Sequence, residues 1–163
     1  MVAPLRHRRF DLMLVAWFVV FAFTSLVMEM YITFSVDLAS ATDPLGRVWF
    51  WYADSFDPIF LDPPYFLWLM CTLDGFVFGP FYLVLIAAFV RGWNWIRLPA
   101  IIYVSAIVYS TAVYFGVEFG EEAHRADLPM VLLINIPYTI VPVILLGRVW
   151  APDVFGRNAA SLD

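Results

Sequence analysis

The chain contains no lysine, a single cysteine and two histidines. One cysteine cannot form an intrachain disulfide, so cysteine usage does not indicate a redox compartment. His7 and His124 lie in separate predicted loops, which argues against a metal site; we expect no metal ion and no cofactor. All nine basic residues are arginines, a bias typical of GC-rich genomes such as those of many bacteria.

Charged residues are also scarce, at 14% of the chain, whereas 63% of residues are hydrophobic and 19% aromatic. A soluble domain of this size cannot hide so much apolar surface. The net charge of −5 argues against a nucleic-acid partner. Apolar runs of about 18 or more residues indicate membrane-spanning helices, and such runs occupy residues 12–36, 63–90, 98–117 and 129–147.

The sequence therefore predicts an all-α integral membrane protein with four transmembrane helices and a single domain over residues 1–163. We expect these helices over about 11–35, 64–90, 98–117 and 129–149. A long aromatic connection separates the first two helices, with a further interfacial helix over about 44–56.

The arginines predict the orientation of the chain, because positive residues accumulate on the cytoplasmic side of a membrane. Most arginines lie on the side of the two termini: Arg6, Arg8, Arg9, Arg91, Arg97, Arg148 and Arg157. Arg47 and Arg125 lie opposite. We expect both termini to be cytoplasmic, in the endoplasmic reticulum of a eukaryote or the plasma membrane of a bacterium.

The connection between the first two spans, residues 37–64, is too aromatic for a flexible linker. Asp43 followed by Pro44 is typical of a helix start, with Asp43 as N-cap. Within the spans, Pro80, Pro137 and Pro142 each remove a backbone hydrogen bond and favour kinks that leave space for a cavity, or serve packing alone. The spacing of Gly75 and Gly79 favours close helix packing.

Two acids interrupt the apolar runs, Glu29 in the first and Asp74 in the second. At about 1.5 Å of rise per residue, both lie in the half of the membrane farther from the termini. Asn135 and Tyr138 of the fourth span reach a similar depth, and Asp57 of the aromatic connection can approach them. We expect these side chains to converge in one polar layer.

A charge at the centre of a bilayer costs at least about 2.5–3.5 kcal/mol, so intramembrane acids usually face a cavity or a partner. Two neighbouring carboxyl groups cannot easily both ionise, and we expect Glu29 and Asp74 to share protons. Such a pair can hold a polar head or amine, or exchange a proton with a carbon skeleton. Alternatively, Glu29 snorkels to the interface and Asp74 satisfies a backbone group. A proton channel is disfavoured because no chain of acids continues through the other half of the membrane.

Four motifs carry a family resemblance: WYADSFDPIFLDPP (51–64), CTLDGFVFGPFY (71–82), WNWIRLPAIIY (93–103) and NIPYTIVPVILL (135–146). In this order and separation they resemble the EXPERA-domain membrane proteins, above all the sigma-2 receptor branch and more distantly the emopamil-binding sterol isomerases. The resemblance extends over about residues 10–148. It implies a four-helix membrane fold, commonly a homodimer, with an occluded pocket for sterols and cationic amphiphiles.

The resemblance also implies roles for individual residues. Glu29 matches an acid that binds the ligand amine, as glutamate where the branch has aspartate. Asp57 matches the supporting aspartate of a DP motif, and Asp74 matches an acid of the second helix. Aromatic positions that line the pocket are matched by Trp51, Tyr52 and Tyr138. The isomerases use a histidine together with acids, and no predicted span contains a histidine; this departure disfavours their chemistry but leaves acid-based chemistry open.

Two functional hypotheses follow. In the first, the protein binds a sterol-like or amine-bearing amphiphile that is part of the membrane lipid. The ligand contacts Glu29, Asp57 and Asp74. The pocket is lined by Trp51, Tyr52, Asn135 and Tyr138. In the second, it is a lipid isomerase or cyclase that uses Glu29 and Asp74 as acid and base, while aromatic faces stabilise a carbocation. A purely structural role leaves the buried acids unexplained.

Overall fold

The computed structural model describes residues 4–156; Arg157, which belongs to the predicted terminal side, lies outside them. Within these residues the secondary structure is entirely helical, and four helices are long and apolar enough to span a membrane: Arg9–Thr33, Tyr65–Arg91, Asn94–Gly120 and Leu128–Val149. We call them spanning helices 1 to 4. The loop helix, Pro44–Ser55, lies between spanning helices 1 and 2. The protein is a four-span integral membrane protein, as the sequence predicts.

Several helix ends differ by a few residues from the predicted bounds, among them the start of spanning helix 3 at Asn94 rather than 98. The ends of spanning helices 1 and 3 have a visible physical reason or consequence. Spanning helix 1 ends at Thr33 rather than near 35, because Ser35 adopts a left-handed backbone with φ 53°. The Val36 N–H donates to Tyr31 O and the Ser35 N–H to Ile32 O, which is the Schellman arrangement that ends a helix. Spanning helix 3 continues to Gly120 instead of ending at 117, and it carries the buried Glu118 inside the protein.

The loop helix begins as the sequence predicts. Asp43 is its N-cap, and the carboxylate Oδ1 accepts hydrogen bonds from the Leu45 and Gly46 N–H groups at 3.1 and 2.9 Å. The Tyr31 hydroxyl donates to the same oxygen at 2.6 Å. That hydroxyl, together with the backbone donors, holds the pKa of Asp43 below its ordinary value. These bonds attach the start of the loop helix to the end of spanning helix 1.

Spanning helices 1 and 2 pack closely against each other. A Cβ added at Gly75 would lie 2.5 Å from Met30 Cε, and one at Gly79 would lie 2.7 Å from Leu26 Cδ2. The two glycines therefore permit the close approach predicted from their spacing. Spanning helix 4 packs mainly against spanning helix 3, and it is interrupted at Ile136, immediately before the predicted break at Pro137.

Spanning helices 1 and 2 each contain a π turn, at Thr24–Met28 and Asp74–Phe78, and the two turns contact each other. The Glu29 N–H bonds to Thr24 O, and the Gly79 N–H bonds to Asp74 O. Pro80 lies two residues after the second turn, so the missing proline N–H is accommodated beside a change of helix winding. The π turns place the two predicted acids beside each other.

Buried apolar residues among residues 4–156 form two clusters. One lies in the half of the helix bundle nearer the termini and is rich in aromatic side chains such as Phe18, Phe21 and Phe89. The other joins the loop helix to the opposite ends of the spanning helices, around Phe60 and Leu67. The space between these clusters holds the cavity described below.

A buried ionic network closes the bundle at its terminal end. Arg8 donates to Asp11 Oδ2 at 2.6 Å, and Arg148 donates to Asp11 Oδ1 at 2.7 Å. Arg8 also donates to Phe89 O at 2.7 Å and Arg148 to Val154 O at 2.5 Å. Both guanidinium groups face the ring of Phe155. We call Arg8, Asp11 and Arg148 the terminal network; it joins the two ends of the described chain.

Candidate functional site: an intramembrane cavity

A cavity of ≈ 330 Å³ lies between the two apolar clusters, bounded by all of the spanning helices and the loop helix. Most of its lining is apolar, for example Met28, Leu67, Met70 and Ile107. Its volume falls within the usual range of small-molecule sites, about 300–1,000 Å³. Polar groups reach it in two places, which we call the acid cluster (Thr24, Glu29, Asp74 and Tyr138) and the tyrosine cluster (Tyr52, Tyr114, Asn135 and Asp57).

The acid cluster is centred on the adjoining side chains of Glu29 and Asp74. Glu29 Oε2 is buried and has no hydrogen-bond partner among residues 4–156. The ion pairs formed by the described residues all lie elsewhere, at Asp11 and Glu122. Two acids without a basic partner, beside an apolar cavity, form a place where a positively charged group would be stabilised.

Tyr138 completes the acid cluster through its hydroxyl group. This hydroxyl lies 2.6 Å from Thr24 Oγ1, and either group can be the donor. Thr24 Oγ1 can also donate to Phe21 O at 3.0 Å. The ring stacks on Phe21 with a centroid distance of 4.4 Å, which fixes its orientation at the cavity wall.

The tyrosine cluster is organised by Asp57, which is fully buried. Asp57 Oδ2 accepts hydrogen bonds from the hydroxyls of Tyr52, at 3.1 Å, and of Tyr114. Burial raises the pKa of Asp57, and the hydrogen bonds from the two tyrosines oppose this shift. Burial and the charge of Asp57 in turn raise the pKa of Tyr52, so this phenol stays protonated.

Asn135 connects the cluster to the cavity. Its Nδ2 donates to Val131 O at 2.9 Å, and it lies 3.2 Å from the Tyr52 oxygen and 3.4 Å from the Tyr114 oxygen. The Val131 carbonyl can only accept, so the amide nitrogen, not the oxygen, must face it. Every hydrogen of this cluster is thus directed at a protein acceptor. Tyr52, Tyr114 and Asn135 all line the cavity, and their hydroxyl and amide oxygens are able to accept hydrogen bonds.

Aromatic rings of the loop helix close the cavity on the side away from the termini. Trp49 stacks on Tyr52 with rings 5.4 Å apart and nearly parallel, and it also contacts Phe60. Trp51 lies at the rim with 59% of its surface exposed. Trp51 and Val48 line both the cavity and a groove on the outer surface of the loop helix, so they form the boundary between the two.

The structure brings most of the predicted site residues to this one cavity. The residues that line it are Glu29, Trp51, Tyr52, Asp74, Asn135 and Tyr138. Asp57 does not line it and lies behind Tyr52 and Tyr114. Instead of one polar layer, the polar residues form two clusters, because Asn135 bonds to the tyrosines whereas Tyr138 bonds to Thr24.

Sequence reasoning missed two polar groups of spanning helix 3. Tyr114 lies within the third predicted span, to which the sequence assigned no site residue, and Glu118 lies just beyond its predicted end. Their spacing of four residues places both on one helix face, which is the signal that could have found them.

Among residues 4–156, no group of three His, Cys, Asp or Glu side chains is placed to hold a metal ion.

Comparison with known proteins agrees with this architecture. The chain is 29% identical over 150 residues to the sigma intracellular receptor 2 of Xenopus tropicalis, an alignment that covers 82% of this chain and 86% of the frog protein. The sequence pattern of the EXPERA (EXPanded EBP superfamily) family matches residues 44–149. This match includes the loop helix, spanning helices 2 to 4 and the whole tyrosine cluster. The chain belongs to the EXPERA family.

Proposed function

We propose that this protein binds a sterol-like or amine-bearing amphiphilic lipid inside the membrane. The observation that carries the proposal is an apolar cavity with two acids at one place and an array of hydrogen-bond acceptors at another. The apolar lining would take the body of the lipid, which reaches the site from the bilayer. The name of the frog relative designates a receptor, and a ligand-binding role for this chain is consistent with that name.

The two polar clusters suit different groups of a ligand. The carboxyl groups of Glu29 and Asp74 share one negative charge in this proposal, which an ammonium group would neutralise at low local dielectric. The hydroxyl and amide hydrogens of the tyrosine cluster are already engaged in hydrogen bonds within the protein. A ligand hydroxyl or ammonium group can therefore donate to Asn135 Oδ1, whereas a ketone finds no donor there. The proposed ligand therefore carries donor groups rather than carbonyl groups at its polar end.

A matched pair of ligands tests this preference: a steroid alcohol and the ketone that differs from it at the same carbon. We expect the alcohol to bind at least about tenfold more tightly than the ketone. The ketone oxygen would face the acceptor oxygens of the tyrosine cluster with no hydrogen between them. Competition binding with the purified protein measures the ratio. Asp57→Asn should narrow the ratio, since the freed tyrosine hydroxyls can then donate to a ketone.

Asp54→Asn is the matched control, because Asp54 is exposed on the same loop helix and its replacement should leave the ratio unchanged. A ketone that binds as tightly as the alcohol to the unmodified protein contradicts the acceptor-only character of the tyrosine cluster. Absence of binding for both steroids and for amine-bearing amphiphiles contradicts the proposed function itself.

The adjoining acids favour a second candidate function, an isomerase that moves a carbon–carbon double bond. A protonated carboxyl would add its proton to one alkene carbon, and the neighbouring carboxylate would remove a proton from the carbon next to the resulting cation. One C–H bond forms and another breaks, so the reaction needs no further reactant. The two carboxyl groups exchange protonation states, and transfer of a proton between them restores the site.

Solvent deuterium distinguishes this activity from binding. An isomerase incubated with a sterol or isoprenoid alkene in deuterated water should introduce deuterium into the lipid, as measured by mass spectrometry. Asp74→Asn should abolish the incorporation, and the exposed control Asp54→Asn should retain it. Tight binding of the same lipids without any deuterium uptake excludes the isomerase and leaves the binding function standing.

A further inference from the structure

One buried hydrogen-bond donor at the cavity has no acceptor in the protein. The indole Nε1 of Trp49, on the loop helix, is buried and has no hydrogen-bond partner among residues 4–156. Over the same residues, the other buried side-chain atoms without a partner are carboxyl oxygens and the hydroxyl oxygen of Thr33. An indole N–H can only donate, and Trp49 lines the cavity. The described part of the chain therefore leaves a donor without an acceptor at the cavity wall.

The packing of the ring keeps the N–H in this position. The Trp49 ring lies parallel to that of Tyr52, with an interplanar angle of 6° and centroids 5.4 Å apart, and its centroid lies 4.8 Å from that of Phe60. An indole N–H lies in the plane of its own ring, so a parallel neighbour cannot accept from it. A rotation that took the N–H to bulk water would break both ring contacts. A buried donor without an acceptor costs free energy, which a ligand oxygen would recover.

We infer that the Trp49 N–H donates a hydrogen bond to the oxygen of a hydroxyl group on the bound lipid. This inference rests on the proposed lipid binding, to which it adds a ligand contact and a functional group of the ligand. Trp49 is not among the site residues that the sequence predicts, so it is a further specificity-determining residue of the cavity.

The groups next to Trp49 distinguish a hydroxyl from other acceptors. Asn135 Nδ2 lies 3.2 Å from the oxygen of Tyr52, and Trp49 stacks on the ring of the same tyrosine. The indole donor therefore adjoins the tyrosine cluster, whose oxygens can accept hydrogen bonds. A ligand hydroxyl can accept from Trp49 and donate to one of these oxygens. A ketone or an ether can only accept, and an ammonium group can only donate, so each leaves one side unpaired.

This contact gives the two polar clusters different roles in binding. An ammonium group suits the acid cluster, where it meets negative charge and where no indole donor has to be satisfied. A hydroxyl group suits the end of the cavity that Trp49 and the tyrosine cluster share. The expected preference for the alcohol over the ketone is unchanged, because the ketone can accept from Trp49 but cannot donate to the oxygens of the tyrosine cluster.

Trp49→Phe tests the inference, because phenylalanine keeps an aromatic ring beside Tyr52 but has no N–H. The probes are a steroid alcohol and its deoxy analogue, in which hydrogen replaces the hydroxyl group. Competition binding with the purified protein should show that Trp49→Phe weakens binding of the alcohol about tenfold. Binding of the deoxy analogue should change less than about threefold. Trp95→Phe, which removes an exposed indole at the start of spanning helix 3, should change neither affinity.

NMR spectroscopy of the unmodified protein gives a measurement that does not require the variant to fold. With isotopically labelled tryptophan, saturation with the alcohol should move one indole N–H proton resonance to lower field, as expected for a new hydrogen bond. The deoxy analogue should not cause this shift. The same resonance should be missing from the spectrum of Trp49→Phe.

Three results would overturn the inference while leaving lipid binding in place. The first is an equal loss of affinity for both steroids in Trp49→Phe, which means that Trp49 contributes packing alone. The second is an alcohol that binds without moving an indole resonance to lower field. The third is a deoxy analogue that binds the unmodified protein as tightly as the alcohol. Absence of binding for both steroids and for amine-bearing amphiphiles contradicts the proposed function itself and, with it, this contact.

Discussion

Glu29→Gln is expected to weaken the binding of a cationic amphiphile by at least about 30-fold. Truncating one member of a buried charge pair costs about 2–5 kcal/mol, and about 1.4 kcal/mol corresponds to a factor of ten. Glu29 adjoins Asp74 at the end of the π turn in spanning helix 1, beside an apolar cavity. Competition binding with a tertiary amine on an apolar polycyclic body measures the change.

The uncharged carbon analogue of the same amine is the matched ligand control, and its affinity should change less than about threefold. Glu29→Asp should keep most of the affinity for the amine, because the carboxylate is retained one methylene further back. If Glu29→Gln and the unmodified protein bind the amine with equal affinity, the result contradicts the proposed contact between Glu29 and the ligand amine. Equal losses for the amine and its uncharged analogue would point to a damaged cavity rather than a lost charge.

Asp11→Ala is expected to reduce the free energy of unfolding by about 3–5 kcal/mol, because it leaves two buried guanidinium groups without their shared carboxylate. Asp11 is 1% exposed and bonds to both Arg8 and Arg148. At about 2–4 °C per kcal/mol, the unfolding temperature in detergent should fall by roughly 10 °C. Thermal unfolding followed by circular dichroism measures this shift.

The control for this prediction is Asp62→Ala, which removes an exposed carboxylate and should shift the unfolding temperature by less than about 2 °C. The cavity lies between the two apolar clusters and away from the terminal network, so Asp11→Ala should retain ligand affinity at temperatures where it is folded. An unfolding temperature unchanged by Asp11→Ala would show that the terminal network contributes little to stability.

The sequence predicts the architecture well because each spanning helix corresponds to a long apolar run. The loop helix also has a local start signal, the N-cap Asp43 followed by Pro44. It also predicts that Glu29 and Asp74 meet, since counting residues along two antiparallel spans gives their depth. Counting does not give the direction of a side chain around the helix axis. For this reason it could not show that Asp57 lies behind the tyrosines or that Asn135 and Tyr138 belong to different clusters.

Other parts of the structure have no local sequence signal. The terminal network joins Asp11 to Arg148 across 137 positions, whereas the distribution of arginines along the sequence predicts only the orientation of the chain. An acid near the end of an apolar run ordinarily indicates exit from the membrane, so the sequence predicts that the third span ends before Glu118. The π turns depend on the packing of two helices against each other, which no single segment encodes.

The two π turns also affect how this chain can be aligned with its relatives. An α-helix advances by about 100° for each residue, and the bond from Glu29 N–H to Thr24 O spans one residue more than a regular α-helical bond. Regular α-helical winding of the same residues would rotate Glu29 by about a quarter of a turn, away from Asp74. Deletion of a single residue between 24 and 28 would restore regular winding and leave Glu29 on the face that it now occupies. A relative without the extra residue therefore needs a one-residue gap inside the membrane span, and an ungapped alignment there would pair Glu29 with a position that faces elsewhere.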